Sequence, residues 1–148
     1  MKLLNNIDSE IKKAMLAKDK ARLDVLRAVK KEFIEARTAK NAEEASDSME
    51  IAILQRMAKQ RRESADIFQT QGREDLASEE LAQLSIIQEY LPAQLSTEEL
   101  EAEIKSIIDN VGASSMKDMG KVMGVATKQL AGQSEGKAIS EAVRKLLS

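Results

Sequence analysis

Proline occurs once in this chain, at Pro92, and on both sides of it apolar residues recur at helical spacing almost without a break. Proline fixes φ, lacks the backbone N–H and pushes the preceding residue away from helix, so a helix must end there. No stretch alternates apolar and polar residues for long enough to make a strand. The expectation is an all-α fold, cut once by Pro92. The core must be aliphatic, because aromatics make up 2 % of the 148 residues (Phe33, Phe68 and Tyr90). Leu, Ile, Val, Met and Ala are the usual filling of helix bundles.

Four helices are expected before the proline. Leu4, Ile7, Ile11 and Ala14/Met15 share a face of the first. Asp19 suits the N-cap of the second, which presents Leu23, Leu26, Val29 and Phe33 and fades near Ala39. The small, acidic stretch Asn41–Ser48 reads as a loop. Asp47 and Glu50 resemble a capping box that opens a third helix, with Ile51, Leu54, Met57/Ala58, Ala65 and Phe68 inward. Gly72 fits its stop. A fourth helix over Arg73–Tyr90 turns Leu76, Leu84, Ile87 and Leu91 inward.

Ser96 and Glu99 form a second capping box just after the proline, so the predicted domains are residues 1–92 and 96–148. The second domain should hold three shorter helices. Thr97–Val111 buries Leu100, Ile104 and Ile107/Ile108, and Gly112 closes it. The next starts after Ser114 or Ser115, with Met116, Met119, Met123, Ala126 and Leu130 on one face, and Gly132 closes that one. The last begins near Ser134 and buries Ile139, Ala142/Val143 and Leu146. The predicted architecture is thus two helical bundles, of four helices and then three.

Several function classes drop out on composition. Without Cys or His there is no disulfide, thiolate zinc site, Cys nucleophile or His general base. No EF-hand loop or other metal motif is present, and no metal or cofactor is expected. The amino terminus lacks the apolar region of a signal peptide and no run could span a membrane, so a cytoplasmic protein with no membrane partner is expected.

The region that asks for a functional explanation is Gly112–Leu147, which contains Gly112, Gly120, Gly124, Gly132 and Gly136. Gly112, Gly132 and Gly136 serve as punctuation between short helices. Gly120 and Gly124 fall inside the sixth helix, where glycine is costly. At 100° per residue Lys117, Lys121, Gly124 and Lys128 form a stripe nearly opposite the methionine face, flanked by Gly120. Such a face lets a phosphate backbone approach closely while ammonium groups neutralise it. A solvated charged face is the competing reading, but it would favour Ala or Glu at the glycine positions.

Charge supports a modest contact. The fifth helix sets Glu98, Glu99, Glu101, Glu103 and Asp109 against Lys105, a net of −4, whereas residues from Gly112 onward carry +3. On the seventh helix Lys137, Arg144 and Lys145 lie on the polar side. The candidate nucleic-acid contacts are therefore Lys117, Gly120, Lys121, Gly124, Lys128, Lys137, Arg144 and Lys145. The Gly112–Ser115 loop could offer free amides to an anion or be capped by its own serines. Lys59, Arg61 and Arg62 are followed by Glu63 and Asp66, which suggests pairing within the third helix.

The segments RLDVLRAVKKEFI (22–34), QRRES (60–64), GREDL (72–76), EYLPAQLS (89–96) and GASSMKDMGKVMG (112–124) resemble the YqeY family, also called GatB/YqeY-like. The resemblance spans essentially the whole chain and implies two all-helical bundles. It further implies kinship with the tail of the GatB component of the tRNA-dependent amidotransferase, which converts misacylated Glu-tRNA(Gln) or Asp-tRNA(Asn) to the amide. That tail touches the tRNA outer corner and is not catalytic, and a similar region occurs in some glutaminyl-tRNA synthetases. The shared motif falls on Gly120-Lys121-Val122-Met123, Gly132 and the closing helix through Leu147. No segment here corresponds to the relative's ATP site or to its amidase partner's Ser-Lys machinery.

The resemblance thus implies a tRNA-binding accessory module, non-catalytic on its own. A protein-interaction adaptor docking on an aminoacyl-tRNA synthetase or amidotransferase is the alternative. Carbon–nitrogen ligase activity with glutamine as amide donor is implied by the relative alone, because no nucleophile–base pair is visible in this chain.

Overall fold

The computed structural model describes residues 3–39 and 47–148. Among them the protein is all-helical: α1 Leu3–Leu16, α2 Lys20–Ala39, α3 Asp47–Thr70, α4 Glu74–Glu89, α5 Thr97–Val111, α6 Met119–Gln129 and α7 Gly136–Leu147, with a 3-10 turn over Met116–Asp118. The chain divides into two compact units, Met1–Leu91 and Pro92–Ser148.

In the first unit α1 packs on α2 and α3 on α4, while α2 also touches α3 and α4. Leu26, Val29 and Phe33 of α2 recur at helical spacing and are fully buried, together with Ile7, Leu54 and Ile87. Burying a side chain of this size contributes about 1.5–3 kcal/mol before entropy is charged against it. On α4 the buried positions are Ala77, Leu84, Ile86 and Ile87, and Leu76 is only half-buried, as is Phe68 of α3. Ala65 and Ala77 are both buried on the α3–α4 pair, where small side chains let two helix axes approach.

Three helix ends among the described residues share one bonding pattern. After α1 the Asp19 N–H donates to Ala14 O and the Lys18 N–H to Met15 O. After α3 the Arg73 N–H donates to Phe68 O and Gly72 to Gln69 O; after α5 Ala113 donates to Ile108 O and Gly112 to Asp109 O. This pair of bonds requires a left-handed residue. Gly72 and Gly112 supply it at φ 75° and 69°, as the sequence predicts, but at the first turn Lys18 does so at φ 56°.

The predicted capping box at Asp47 and Glu50 is corrected. Asp47 and Ser48 already belong to α3, so the predicted loop is shorter at that end, and residues 41–46 lie outside the described residues. Glu50 is 1 % exposed and reaches away from its own helix. Its two carboxylate oxygens accept the Leu3 and Leu4 N–H groups, each at 3.0 Å, at the start of α1. A carboxylate there satisfies two donors that α1 cannot satisfy internally and faces the positive end of its dipole.

A second polar clasp joins α1, α2 and α4. The Arg22 guanidinium donates to Glu89 Oε2 at 2.7 Å, Tyr90 OH at 3.0 Å and Asp19 Oδ2 at 3.3 Å. The Tyr90 hydroxyl donates in turn to Glu10 Oε2 at 3.4 Å. Glu89 first, then Tyr90, holds the Arg22 pKa well above its ordinary value, whereas burial pushes Tyr90 up against the opposing pull of Arg22. The lysine–arginine cluster of α3 is split: Lys59 lies 4.0 Å from Glu63 as predicted, but Arg61 leaves its helix to bond Gln83 on α4 at 2.7 Å.

The second unit is a three-helix arrangement in which each of α5, α6 and α7 touches the other two. Its core holds Leu100, Ile104 and Ile107 of α5, Val122 and Ala126 of α6, Leu130, and Ile139, Val143 and Leu147 of α7. The Ser96 box forms as predicted: Ser96 Oγ accepts the Glu99 N–H at 3.1 Å and Glu99 Oε1 accepts the Ser96 N–H at 3.0 Å. The incoming segment is pinned to the α6–α7 loop by Leu95 N–H to Gln133 O at 2.9 Å and Gln94 Nε2 to Gly132 O at 2.6 Å. Gly132 takes φ 80° in the turn that Gln133 N–H closes on Leu130 O, two residues past the α6 C-cap Leu130, so it shapes the α6–α7 loop and does not itself stop the helix as predicted.

Two inward positions shift in this unit. Met116, predicted inward, is 44 % exposed, because Met116–Asp118 form a 3-10 turn with a different residue period. The buried centre of α6 is instead Val122 and Ala126, with Met119 and Met123 at its edge. At the end of α7, Leu147 is buried and Leu146 half-buried.

Candidate nucleic-acid interface

The α6 register places Gly120 and Gly124 on its solvent side, and both are exposed. A Cβ added at either would find no heavy atom within 4 Å outside the local backbone. Neither glycine has a positive φ, so neither backbone conformation nor packing within the chain requires it. Gly124 lies in the interior of α6, where an exposed glycine costs about 1 kcal/mol relative to alanine, whereas Gly120, predicted inside the helix, is the second residue of α6 in its first turn. Lys128 lies one turn beyond Gly124 and makes no ion pair or hydrogen bond among the described residues.

The predicted stripe is not continuous. Lys117 sits in the 3-10 turn, outside the α6 register, although it too is exposed and has no side-chain partner among the described residues. Lys121 Nζ donates to Val111 O at 3.2 Å, which caps the last carbonyl of α5. A cation at a helix C-terminus meets the negative end of the dipole. Lys121 therefore already has an intramolecular task.

The cations of α7 divide the same way. Lys145 Nζ bonds Glu101 Oε1 of α5 at 2.8 Å, and that carboxylate raises the Lys145 pKa above its ordinary 10.5. Lys137 and Arg144 are exposed and have no side-chain partner among the described residues. About ten residues of α5 separate the anchors of Lys121 and Lys145, or roughly 15 Å at the helical rise. The eight predicted positions are thus two exposed glycines, four unengaged cations and two lysines tied to opposite ends of α5.

The loop before α6 is closed by its own side chains. Ser115 Oγ accepts the Lys117 N–H at 3.4 Å, and Asp118 Oδ2 accepts the Ser114 N–H at 3.0 Å. Asp118 thus already presents a carboxylate to the Ser114 amide, which favours capping over anion binding there. The sequence signal for this was the Ser-x-x-x-Asp spacing from Ser114 to Asp118 in front of a helix. A shallow cleft of about 220 Å³ lies between α5 and α7, lined by Leu100, Ala138 and Ala142 with Glu101, Glu141 and Lys145 around them. No group of three His, Cys, Asp or Glu among the described residues could hold a metal ion.

A family model described as Yqey-like protein matches residues 4–147. Among curated proteins, "Altered inheritance of mitochondria protein 41, mitochondrial" of Pyrenophora tritici-repentis is 30 % identical over 88 % of this chain and 72 % of its own length. The protein of that name from Clavispora lusitaniae is 31 % identical over 86 % of this chain and 74 % of its own. The Eremothecium gossypii protein is 33 % identical over 71 % of this chain and 58 % of its own. Each is named as mitochondrial, and that overturns the cytoplasmic expectation. The expectation rested on apolar patterning: among the described residues no helix is long and apolar enough to cross a membrane. Such a fact carries no information about the compartment.

Proposed function

The chain belongs to the YqeY family, and on that premise we propose that it is an accessory tRNA-binding module, non-catalytic on its own. The observation that carries this reading is the pair Gly120 and Gly124, open to solvent beside the unengaged Lys128. A methyl-free helix surface admits a sugar–phosphate backbone to closer range than any other residue would. Lys117 and Lys128 then meet phosphates, and Lys137 and Arg144 extend the contact along α7. Lys121 and Lys145 hold α6 and α7 against α5 and so position the surface. The resemblance to the amidotransferase tail that the sequence implies supports tRNA as the nucleic acid.

The formal net charge of −2 leaves only a local attraction for RNA. Binding is therefore modest and steeply salt-dependent. A gel-shift titration with total tRNA at low and moderate salt tests the proposal. The double variant Lys117→Glu, Lys128→Glu is expected to bind more weakly, with a salt slope lower by roughly 2, about one for each phosphate no longer neutralised. Unchanged affinity in that variant, or no binding at low salt, sinks the reading.

The α5–α7 cleft favours a second reading, a protein adaptor docking on an aminoacyl-tRNA synthetase or amidotransferase. Its apolar floor of Leu100, Ala138 and Ala142 could take a partner's side chain. Co-purification of such an enzyme that survives nuclease treatment, and is abolished by Ala138→Glu, favours this reading over the first.

A further inference from the structure

The turn between α1 and α2 carries the most exposed large apolar side chain among the described residues. Leu16 is 77 % exposed and its neighbour Met15 54 % exposed, at the very end of α1. Four lysines surround them in sequence, Lys12, Lys13, Lys18 and Lys20, all exposed. The two carboxylates nearest in sequence are both engaged, and only Glu10 takes one of these four lysines. Asp19 accepts the Arg22 backbone N–H at 3.1 Å and its guanidinium at 3.3 Å. Glu10 takes Lys13 at 3.4 Å and the Tyr90 hydroxyl at 3.4 Å. Lys12, Lys18 and Lys20 have no partner among the described residues.

The backbone holds this tip in shape. Lys18 stands in the left-handed region at φ 56°, locked by the paired bonds from Lys18 and Asp19 back to Met15 and Ala14. Glycine occupies the equivalent place at the ends of α3 and α5. Lysine at this third end keeps a positive charge at the apex of the turn, in a conformation that a side chain disfavours.

We propose that this tip is a contact for an anionic lipid surface. Two adjacent aliphatic side chains on a convex turn offer nothing to a phosphodiester backbone, which argues against RNA here. A protein partner would need a matching hollow, whereas a bilayer deforms around a protruding tip. Met15 and Leu16 enter below the headgroups while the lysine stems lie along the interface with their ammonium groups at the lipid phosphates. Each lysine near such a surface strengthens partition about fivefold. One tip of this size gives weak, reversible attachment and not an anchor.

Sedimentation of the full chain with lipid vesicles is the test. Vesicles containing roughly one-third phosphatidylserine are expected to bind it at least about tenfold better than neutral phosphatidylcholine vesicles, and added salt to release it. The chain contains no tryptophan, so the Leu16→Trp variant carries a single reporter at the tip. Its emission is expected to move to shorter wavelength on anionic vesicles and to stay unchanged on neutral ones. The double variant Met15→Ser, Leu16→Ser replaces exposed residues and is expected to lose most of the binding with its helical circular dichroism intact. Three outcomes overturn the proposal: no sedimentation with anionic vesicles at low salt, equal sedimentation of the double serine variant, or an emission shift produced by tRNA and not by vesicles.

Discussion

At the level of single residues, Glu50 and Lys18 show how far a side chain's role can lie from its local sequence. Glu50 sits in the first turn of α3 yet terminates α1, accepting two of its N–H groups from a site 1 % exposed to solvent. Glu50→Ala leaves both donors without that partner and is expected to lower stability by about 2–3 kcal/mol, read by urea unfolding. Glu50→Gln keeps one accepting oxygen and should lose less; a wild-type midpoint in the alanine variant contradicts the assignment. Lys18 makes the opposite prediction. Its left-handed backbone suits glycine, so Lys18→Gly is expected to raise stability by about 0.5–1 kcal/mol in the same assay. A fall would mean that the lysine side chain contributes more than its backbone costs.

At the level of elements, the helix ends divide into those set by local chemistry and those set by partners. The α5 capping box was legible because both halves lie within four residues, and Gly72 and Gly112 because a left-handed stop is a backbone matter. The Glu50 contact was not legible, since its partners are 46 and 47 residues away. The start of α6 left one local signal, the Ser114–Asp118 spacing, but the plausible helical stripe of Met116–Leu130 masked it, and the 3-10 turn that breaks the stripe is built around Asp118 reaching back to Ser114. The same limit applied to Lys121, whose place in a basic stripe was readable and whose bond to Val111 O was not.

The α5 box also makes a prediction about pH. The Ser96 backbone N–H, then its side chain, holds the Glu99 carboxyl below its ordinary 4.5. The unfolded chain therefore takes up the proton first, so the stabilisation is present above about 4.5 and fades as pH falls below it. Thermal unfolding across the acid range should show a shallower acid loss in Glu99→Gln, which keeps an acceptor for the box without titrating. Identical acid limbs in the two proteins would contradict the box's contribution.

Across the whole molecule, two aliphatic cores form with three aromatic residues in 148, and each is made by side chains at helical spacing. That is why the helical class was readable from Pro92 and the periodicity around it. The candidate interface was readable only in part, because composition shows which cations exist and not which are already engaged. Of six, Lys121 and Lys145 are tied to α5, and Lys117, Lys128, Lys137 and Arg144 remain available among the described residues. Net charge cannot drive the proposed binding in so acidic a chain, so the contact must be local and close.

Closeness is what Gly124 is proposed to provide, and the Gly124→Ala variant tests it most directly. The added methyl has open space, so it should raise the unfolding free energy by about 1 kcal/mol. The same methyl stands where the RNA backbone is proposed to lie. In a gel-shift titration with total tRNA, binding is expected to be about tenfold weaker in this more stable protein, a loss of about 1.4 kcal/mol. A stabilised Gly124→Ala protein that binds tRNA as tightly as the wild type would contradict it.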